Sequence, residues 1–585
     1  MPLLPSLSAP AQSRDVTDTF AGYNHRLKIA PGEFYDTRNL STRDYPMLAT
    51  RRKRCTVQQL KNPGGILGKE ALCVVDDGVL YYNGEPTPLT KLDRRTEKQM
   101  ISFGSYVVIW PDKVYYNTID PEDHGKLEAE YFSNGSVTYE ICTLTGDVIN
   151  YTASEEPPEN PEHLQWWYDK AHKSLKQYSG LDSTWTSVAT VYTRIKFDSC
   201  GTIPKLFKLY DGVTISGTPY PEELEGSKCI YAIGGSKEKQ EQDYIIVVGL
   251  IESSVTTTDS CRIERRAPDL DYICECQNRL WGCKYGFTEE HGVLNEIYCC
   301  ALGDFRNWRQ YQSLSTDSWT ASVGTDGPWT GAINFLGYPT FFKENHIHRV
   351  TVSSVGAHKI TETSCRGVMA GCSKSLAIVN ETLLYKSRTD VCAYQGGFPE
   401  SVSAALGDGR YSDAVAGSFG SSYYVSMKDE TGRPNLFVYD TKNNLWIRED
   451  ELKVLQFAAA GDGLFAIDAD TGILLDINGS TGTEEKYLDW TAQTGILYYQ
   501  YPDKKYVSRY DIRVSAEQGS KMQIEIQYDS DGVWRYSGKL FFKGLNTITF
   551  PVRPRRCDHM EIRLSGNGPV KIYSISRIME QGSDV

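Results

Sequence analysis

No apolar run in this chain approaches the ~18 residues that cross a membrane as a helix, so no membrane insertion is expected. The opening Met1-Pro2-Leu3-Leu4-Pro5-Ser6-Leu7 lacks the basic start and long apolar core of a secretory signal, which points to a soluble cytosolic product. Positive charge is also short. Lys and Arg number 62 against 75 Asp and Glu, a formal charge of −13, which disfavours the surface as a whole as a nucleic-acid binder. The nucleophile elbow Gly-x-Ser-x-Gly, the phosphate-cradling Gly-Lys-Ser/Thr loop and the His-Glu-x-x-His pair are all missing. Methionine is scarce, at 8 residues, while Tyr (38) and Gly (50) are abundant, a balance that favours strands and turns over helices.

Fifteen cysteines, an odd count without a secretory leader, predict reduced structural thiols. Cys274, Cys276, Cys283, Cys299 and Cys300 invite a zinc reading. However, the 274/276 spacing is the strand period, which simply sets both on one sheet face. His346 and His348 share a face in the same way and have no visible third ligand. The expectation is therefore no catalytic residue, no cofactor and no metal, and a protein that is not an enzyme. The run Arg51-Arg52-Lys53-Arg54 reads first as a solvated turn and second as a phosphate or acidic-partner contact.

What the chain does have is a repeated unit of strand, tight turn and strand. It occurs at Val74–Tyr82, Ile101–Trp110, Cys276–Trp281, Phe335–Phe342, Ile378–Tyr385, Ser418–Val425 and Ala459–Phe465. From Gly337 onward the turns fall at 337, 381, 420 and 462, spaced by 44, 39 and 42 residues. This matches the ~40–50 residues of a four-stranded propeller blade. Such short strand pairs cannot bury both faces alone and need neighbours stacked beside them. In Leu436-Phe437-Val438-Tyr439-Asp440, followed by Trp446, the indole is expected to pack between adjacent sheets.

The predicted architecture is all-β: a propeller of six or seven blades, an inserted small β-rich domain with one helix, and a C-terminal β-sandwich. Residues 1–69 read as an extended segment able to close the propeller, 70–124 as its first blades and 125–265 as the insertion. Residues 266–484 read as the remaining blades and 485–585 as the sandwich. The inserted helix is placed from Pro161, after an Asn160 N-cap, because Leu164, Trp167, Tyr168, Ala171, Leu175 and Tyr178 recur at three- and four-residue spacings. In the last region Tyr506–Val514, Met522–Tyr528, Asn546–Pro551, Glu561–Leu564 and Val570–Ile578 alternate apolar and polar side chains.

Two segments, Gly324-Thr325-Asp326-Gly327-Pro328-Trp329 and Ser530-Asp531-Gly532-Val533-Trp534, resemble in part the aspartate-box turns of sialidases, but lack the full motif. Broader likenesses come from the two ends. Phe20–Asn24, Gly32–Ser41 and Tyr45–Arg51 resemble the opening of bacteriophage virion proteins of the tail nozzle and packaged-DNA stabilisation type. Ser322–Trp329 with Phe341–Ile347 is similar to their blades, and Ile575–Val585 to the terminus of phage structural proteins with a C-terminal sandwich.

The resemblance implies a structural protein of the virion tail, made in the host bacterial cytoplasm. It would assemble with itself into a ring, commonly a hexamer, below portal and adaptor proteins. Genomic DNA would pass non-specifically through the channel for retention and ejection. The alternative is a propeller-based host-receptor or glycan-binding tail protein, and after that a glycan hydrolase. Arg553-Pro554-Arg555-Arg556 is a candidate contact with a neighbouring subunit, set against a solvated loop.

Overall fold

The computed structural model describes residues 12–289, 292–352, 357–498, 504–541, 544–552 and 555–581. Met1–Leu7, Arg553-Pro554 and Gly582–Val585, used in the sequence reading, lie outside them. Strand accounts for 53% of the chain and helix for 3%, so the fold is nearly all β, in many small sheets. Two compact units divide it: residues 1–98, 341–348 and 362–585 form one, and residues 99–340 and 349–361 form the other.

Seven small sheets recur along the chain, at 63–86, 99–126, 272–322, 331–364, 377–401, 412–450 and 454–476. Each runs up and down through consecutive strands, and six open on one of the hairpins read from the sequence, while in the first sheet that hairpin joins the second and third strands. Three of the opening turns, Gln277-Asn278, Leu336-Gly337 and Asn380-Glu381, hold two residues at positive φ, as does Asp77-Gly78, the second turn of the first sheet. Two-residue hairpin loops of this mirror-image kind match the right-handed twist of the strands they join. In the seventh sheet Cys55–Gln59 supplies the strand beside Ile473–Asp476, so a segment near the start of the chain completes a sheet formed near residue 470.

Within the first unit the opening strands of the fifth, sixth, seventh and first sheets lie against one another in that order. The approach is close. A Cβ on Gly417 would sit 2.5 Å from Phe457 Cβ, and one on Gly68 would sit 1.7 Å from the Ala459 carbonyl oxygen. Ile66, Val74, Ala458, Ile467 and Leu474 form the apolar layer between the first and seventh sheets. Tyr439 stacks on the Trp446 indole at 4.9 Å, and Trp446 Nε1 donates to Val402 O of the preceding sheet at 2.7 Å. Within the second unit the opening strands of the second, third and fourth sheets follow one another likewise. Phe103, Val108, Trp110, Ile273 and Leu280 pack together there.

The chain leaves the second sheet after Lys126 and returns to the third at Tyr272. Departing strand Ala129–Phe132 pairs with returning strand Arg262–Arg265, and Arg265 Nε donates to Leu127 O at 3.1 Å. Between them lie three sheets around one apolar core that includes Val137, Tyr139, Ile195, Ile245 and Ile263.

The helix expected from Pro161 is not formed. Trp166–Asp169 and Ser174–Ser179 are instead antiparallel strands of a four-stranded sheet. Tyr168 and Leu175, seven residues apart, face each other across the hairpin, so the spacing that imitates two helical turns is a cross-strand pair. Asp169 closes the turn, accepting from His172 N (3.1 Å) and Lys176 Nζ (2.7 Å). The aromatic and β-branched content of the region favours extended backbone. Helix in this region is limited to Ile203–Leu206 and Pro221–Leu224, among the described residues.

Two larger sheets of the first unit share one core. Lys505–Ala516, Gly544–Pro551 and Val570–Gln581 belong to one, and Asp489–Gln493, Lys521–Tyr528, Arg535–Phe541 and Met560–Asn567 to the other. Strict alternation in Lys521–Tyr528 buries Met522, Ile524, Ile526 and Tyr528. The segment expected to be extended contributes to both sheets. Gln12–Thr17, Leu40–Ser41 and Leu48–Thr50 join the first, and Asp36–Arg38 pairs with Asp489–Gln493 in the second. Phe20, Phe34, Leu40 and Leu48 enter the shared core.

Candidate functional site

The segment 37–54 carries two buried arginines, Arg51 and Arg54, and a network of buried polar groups. Asn39 has φ of 56°, a left-handed conformation that asparagine tolerates better than most residues. All of its polar groups are engaged. Its N–H donates to Glu449 O, its carbonyl accepts from Arg51 N, its Nδ2 donates to Asp489 O (2.6 Å), and its Oδ1 accepts from Arg51 Nε (2.7 Å). Thr37 Oγ1 donates to Arg448 O at 2.9 Å, beside the same strand of the sixth sheet.

The run Arg51–Arg54 is only partly a solvated turn. Arg51 and Arg54 are buried, at 7% and 6% exposure. Arg51 grips Glu485 through both Nη atoms, at 2.7 and 3.3 Å. Arg54 pairs with Glu449 and Asp450, each at 2.7 Å. Burial pushes the Glu449 carboxyl up, against the pull of Arg54 and Arg51. Burial opposes ionisation of Asp450 too, yet the same two arginines hold it below its ordinary value. Lys53 reaches Glu484 at 3.0 Å. Arg52 is the exposed member, and its side chain has no hydrogen-bonded or ion-paired partner among the described residues.

Beside this cluster lies a cavity of about 400 Å³. Arg43, Arg52, Lys442, Asn443, Ser421 and Tyr424 are among its lining residues. Glu449 forms part of the wall and is already paired, while Asp440 accepts from Lys442 N and Asn443 Nδ2 in its own turn. Burial raises the Tyr424 phenol, with Glu449 adding to the effect and Arg54, Arg52 and Arg43 opposing it. Asn478 also lines the cavity, and its Nδ2 is enclosed with no hydrogen-bond acceptor among the described residues.

A second feature sits ahead of the fifth sheet. Lys374 Nζ donates to Leu455 O, next to the opening strand of the seventh sheet, at 2.6 Å, and pairs with Glu97. Burial pushes this ammonium down to about 8.

The residues weighed from sequence for metal or catalysis lie elsewhere. Cys274, Cys276, Cys283, Cys299 and Cys300 are buried free thiols of the third sheet. Burial pushes Cys276 to about 12 and Cys299 to about 11. Leu280 N donates to Cys300 Sγ at 3.0 Å. His346 and His348 are neighbours at 6.1 Å between ring centroids, and burial drives His348 down to about 4. Among the described residues no group of three His, Cys, Asp or Glu side chains could hold a metal ion. Asp531 caps an ordinary hairpin turn, accepting from Val533 N at 3.0 Å and pairing with Arg535. Arg555 stands over the Tyr528 ring at 5.5 Å. No helix among the described residues is long and apolar enough to cross a membrane. The sequence reading missed the cavity and the Lys374 contact. Only the unexplained charge of the Arg51–Arg54 run marked the neighbourhood of the first.

No protein-family profile matches this chain, and no curated protein does. Solved structures that are faintly similar to this chain include the following three. A glycoside hydrolase is 11% identical with a TM-score of 0.21, over 52% of this chain and 96% of that one. A putative 6-phosphogluconolactonase from Bacteroides fragilis is 9% identical with a TM-score of 0.21, over 60% and 96%. A GH43 glycoside hydrolase engineered for endo-xylanase and exo-arabinofuranosidase activity is 10% identical with a TM-score of 0.20, over 54% and 97%. Likeness at this level carries no argument about fold or activity.

Proposed function

We propose that the seven small sheets are the blades of one β-propeller, that the two larger sheets are a C-terminal sandwich, and that the whole is a structural subunit of a bacteriophage tail. What supports the ring is the order of opening strands within each unit, which leaves two joins to be made, between the first and second sheets and between the fourth and fifth. What supports the role, and carries the reading, is the use of the segment that bears the nozzle resemblance. Asn39 and Arg51 of that segment, with Arg54 just after it, are consumed in bracing the sixth sheet against Asp489–Gln493 and Glu485. A segment used this way contributes rigidity rather than chemistry, as a subunit that works by assembly requires.

Opening strands are innermost in a propeller, so the Lys374, Glu97 and Leu455 contact would lie across the subunit's own axis. The conduit for DNA is then formed between copies of the chain, with portal or adaptor proteins above. A head-to-tail ring needs two different complementary surfaces on every subunit. The inserted region 129–265 and the paired C-terminal sheets are the parts left free by blade closure. Electron microscopy of particles labelled on this chain tests the proposal. Density coaxial with the tail is expected. A peripheral spike or fibre tip would replace this reading with a receptor-binding one.

A further inference from the structure

The buried thiols and His348 are enclosed by packing, whereas the cavity beside Arg52 has room for a ligand. The cavity combines enclosure, unspent donors and unbalanced charge. We propose that it is an oxyanion site that seats a phosphate group between Arg52 and Lys442, with Asn478 Nδ2 as a further donor.

The charge argument rests on which cations are already used. Arg51, Lys53 and Arg54 all have carboxylate partners, at 2.7, 3.0 and 2.7 Å. The side chains of Arg52 and Lys442 form no hydrogen bond or ion pair among the described residues, though both line the cavity. Arg43 also lines it, and its side chain pairs with Asp44 at 3.3 Å. The lining carries Arg43, Arg51, Arg52 and Lys442 against Asp440 and Glu449, a net positive set on a protein whose formal charge is −13.

The donor argument is independent of charge. An enclosed amide N–H without an acceptor is unfavourable unless a ligand or water supplies one. Asn478 Nδ2 is such a group among the described residues, and Asn478 is one of the residues that line the same cavity. An arginine fork, a lysine ammonium and an amide together suit a phosphate, which offers several acceptor oxygens. About 400 Å³ is more than one phosphate fills, so the phosphate is part of a larger ligand or is accompanied by water.

The shared chemistry has two sources, a free phosphate or phosphomonoester and the phosphodiester of a nucleic acid. This assignment does not depend on the tail-assembly reading and can fail without it. Full-length protein should be titrated calorimetrically with inorganic phosphate at low ionic strength. Saturable binding at one site is expected, and added salt should weaken it. The double variant Arg52→Gln/Lys442→Gln, both exposed positions, should bind at least about tenfold more weakly with an unchanged melting temperature. Asn478→Asp, which sets a carboxylate at the donor position, should also weaken binding. Dilution heat alone with wild-type protein, or equal binding by wild type and both variants, would overturn the site. Displacement of bound phosphate by a short DNA duplex assigns the phosphodiester as the source. Retention in excess duplex assigns a free phosphate or monoester.

Discussion

The paired C-terminal sheets and the inserted sheets are built from similar alternating strands, but they differ in how far along the chain each core reaches. Insertion residues 129–265 bring nearly every strand and core side chain from within one continuous stretch. The C-terminal sheets draw in Gln12–Thr17, paired with Val570–Gln581 in the register Gln12↔Glu580, and bury Phe20 and Phe34 beside Tyr510 and Ile512. A core closed by residues almost 570 positions apart forms only when both ends of the chain are present. One closed within a continuous stretch does not carry that condition. The two regions should therefore respond in opposite ways to cutting.

Deletion gives the largest contrast. Removing 12–50 should abolish soluble folding, because it strips strands from both C-terminal sheets and four aromatic or aliphatic side chains from their core. Replacing 129–265 by a short Gly-Ser linker should leave a cooperative thermal transition, since Ala129 and Arg265 are paired neighbours at the base of the insertion. Size-exclusion chromatography with calorimetry checks both. Soluble, cooperative protein from the first deletion would remove the dependence on the N-terminal strands. For the same reason, cutting at 485 leaves the strands Gln12–Thr17 and Asp36–Arg38 without their partners.

Single substitutions at the brace come next. Glu449→Ala leaves Arg54 buried with half its partners and should cost about 3 kcal/mol. Trp446→Ala empties a fully buried site between two sheets and should cost about 3–5 kcal/mol. Denaturant unfolding measures both. Arg52→Ala, one position from Arg51, should stay within about 0.5 kcal/mol of wild type because its side chain is exposed.

The contrast within that run also shows what the sequence could tell and what it could not. Turns were legible because Asp77-Gly78 or Leu336-Gly337 between apolar runs is a local signal; six of the seven sit at the first turn of a small sheet and Asp77-Gly78 at the second turn of its own. The alternation of Met522–Tyr528 was legible for the same reason. Arg51 and Arg54 were not, since their partners Glu485 and Glu449 lie some 400 residues on. The predicted helix failed because Tyr168 and Leu175 satisfy a seven-residue spacing in either a helix or a hairpin, and tertiary pairing decided. The cavity had no signature of its own, being assembled from the loop at 41–45 and the turns at 421 and 442.

A smaller effect sharpens the comparison from the side of the insertion. Asp169 is held at about 2 by its hydrogen bond to Lys176, with His172 adding, against an ordinary value of 3.8. A carboxyl lowered in the folded state contributes stability that is fully present above its ordinary value. That contribution is lost as pH falls toward about 2. The hairpin 166–179 should loosen over that interval, whereas Asp169→Asn should be looser at neutral pH and insensitive there. Near-ultraviolet circular dichroism of the two proteins between about pH 5 and 2 reads the difference. Parallel curves would show that the carboxylate does not anchor the turn.

The smallest expected change is a gain, and it lies in the repeated turns. Leu336 occupies a left-handed position, φ 52°, and its side chain is 54% exposed, so it meets a backbone penalty with little burial in return. Asparagine followed by glycine is the favoured pair for a two-residue mirror-image turn, and Gly337 is already in place with φ of 77°. Leu336→Asn should stabilise by about 0.5–1 kcal/mol, the usual scale of a relieved left-handed residue. The equivalent turn in the fifth sheet, Asn380-Glu381, holds the preferred residue first and a strained one second. Glu381→Gly should give a gain of similar size there. Chemical denaturation of the two single variants and their combination would show additive gains if both turns are independent. A loss at either position would mean that the present side chain makes a contact worth more than the strain it carries.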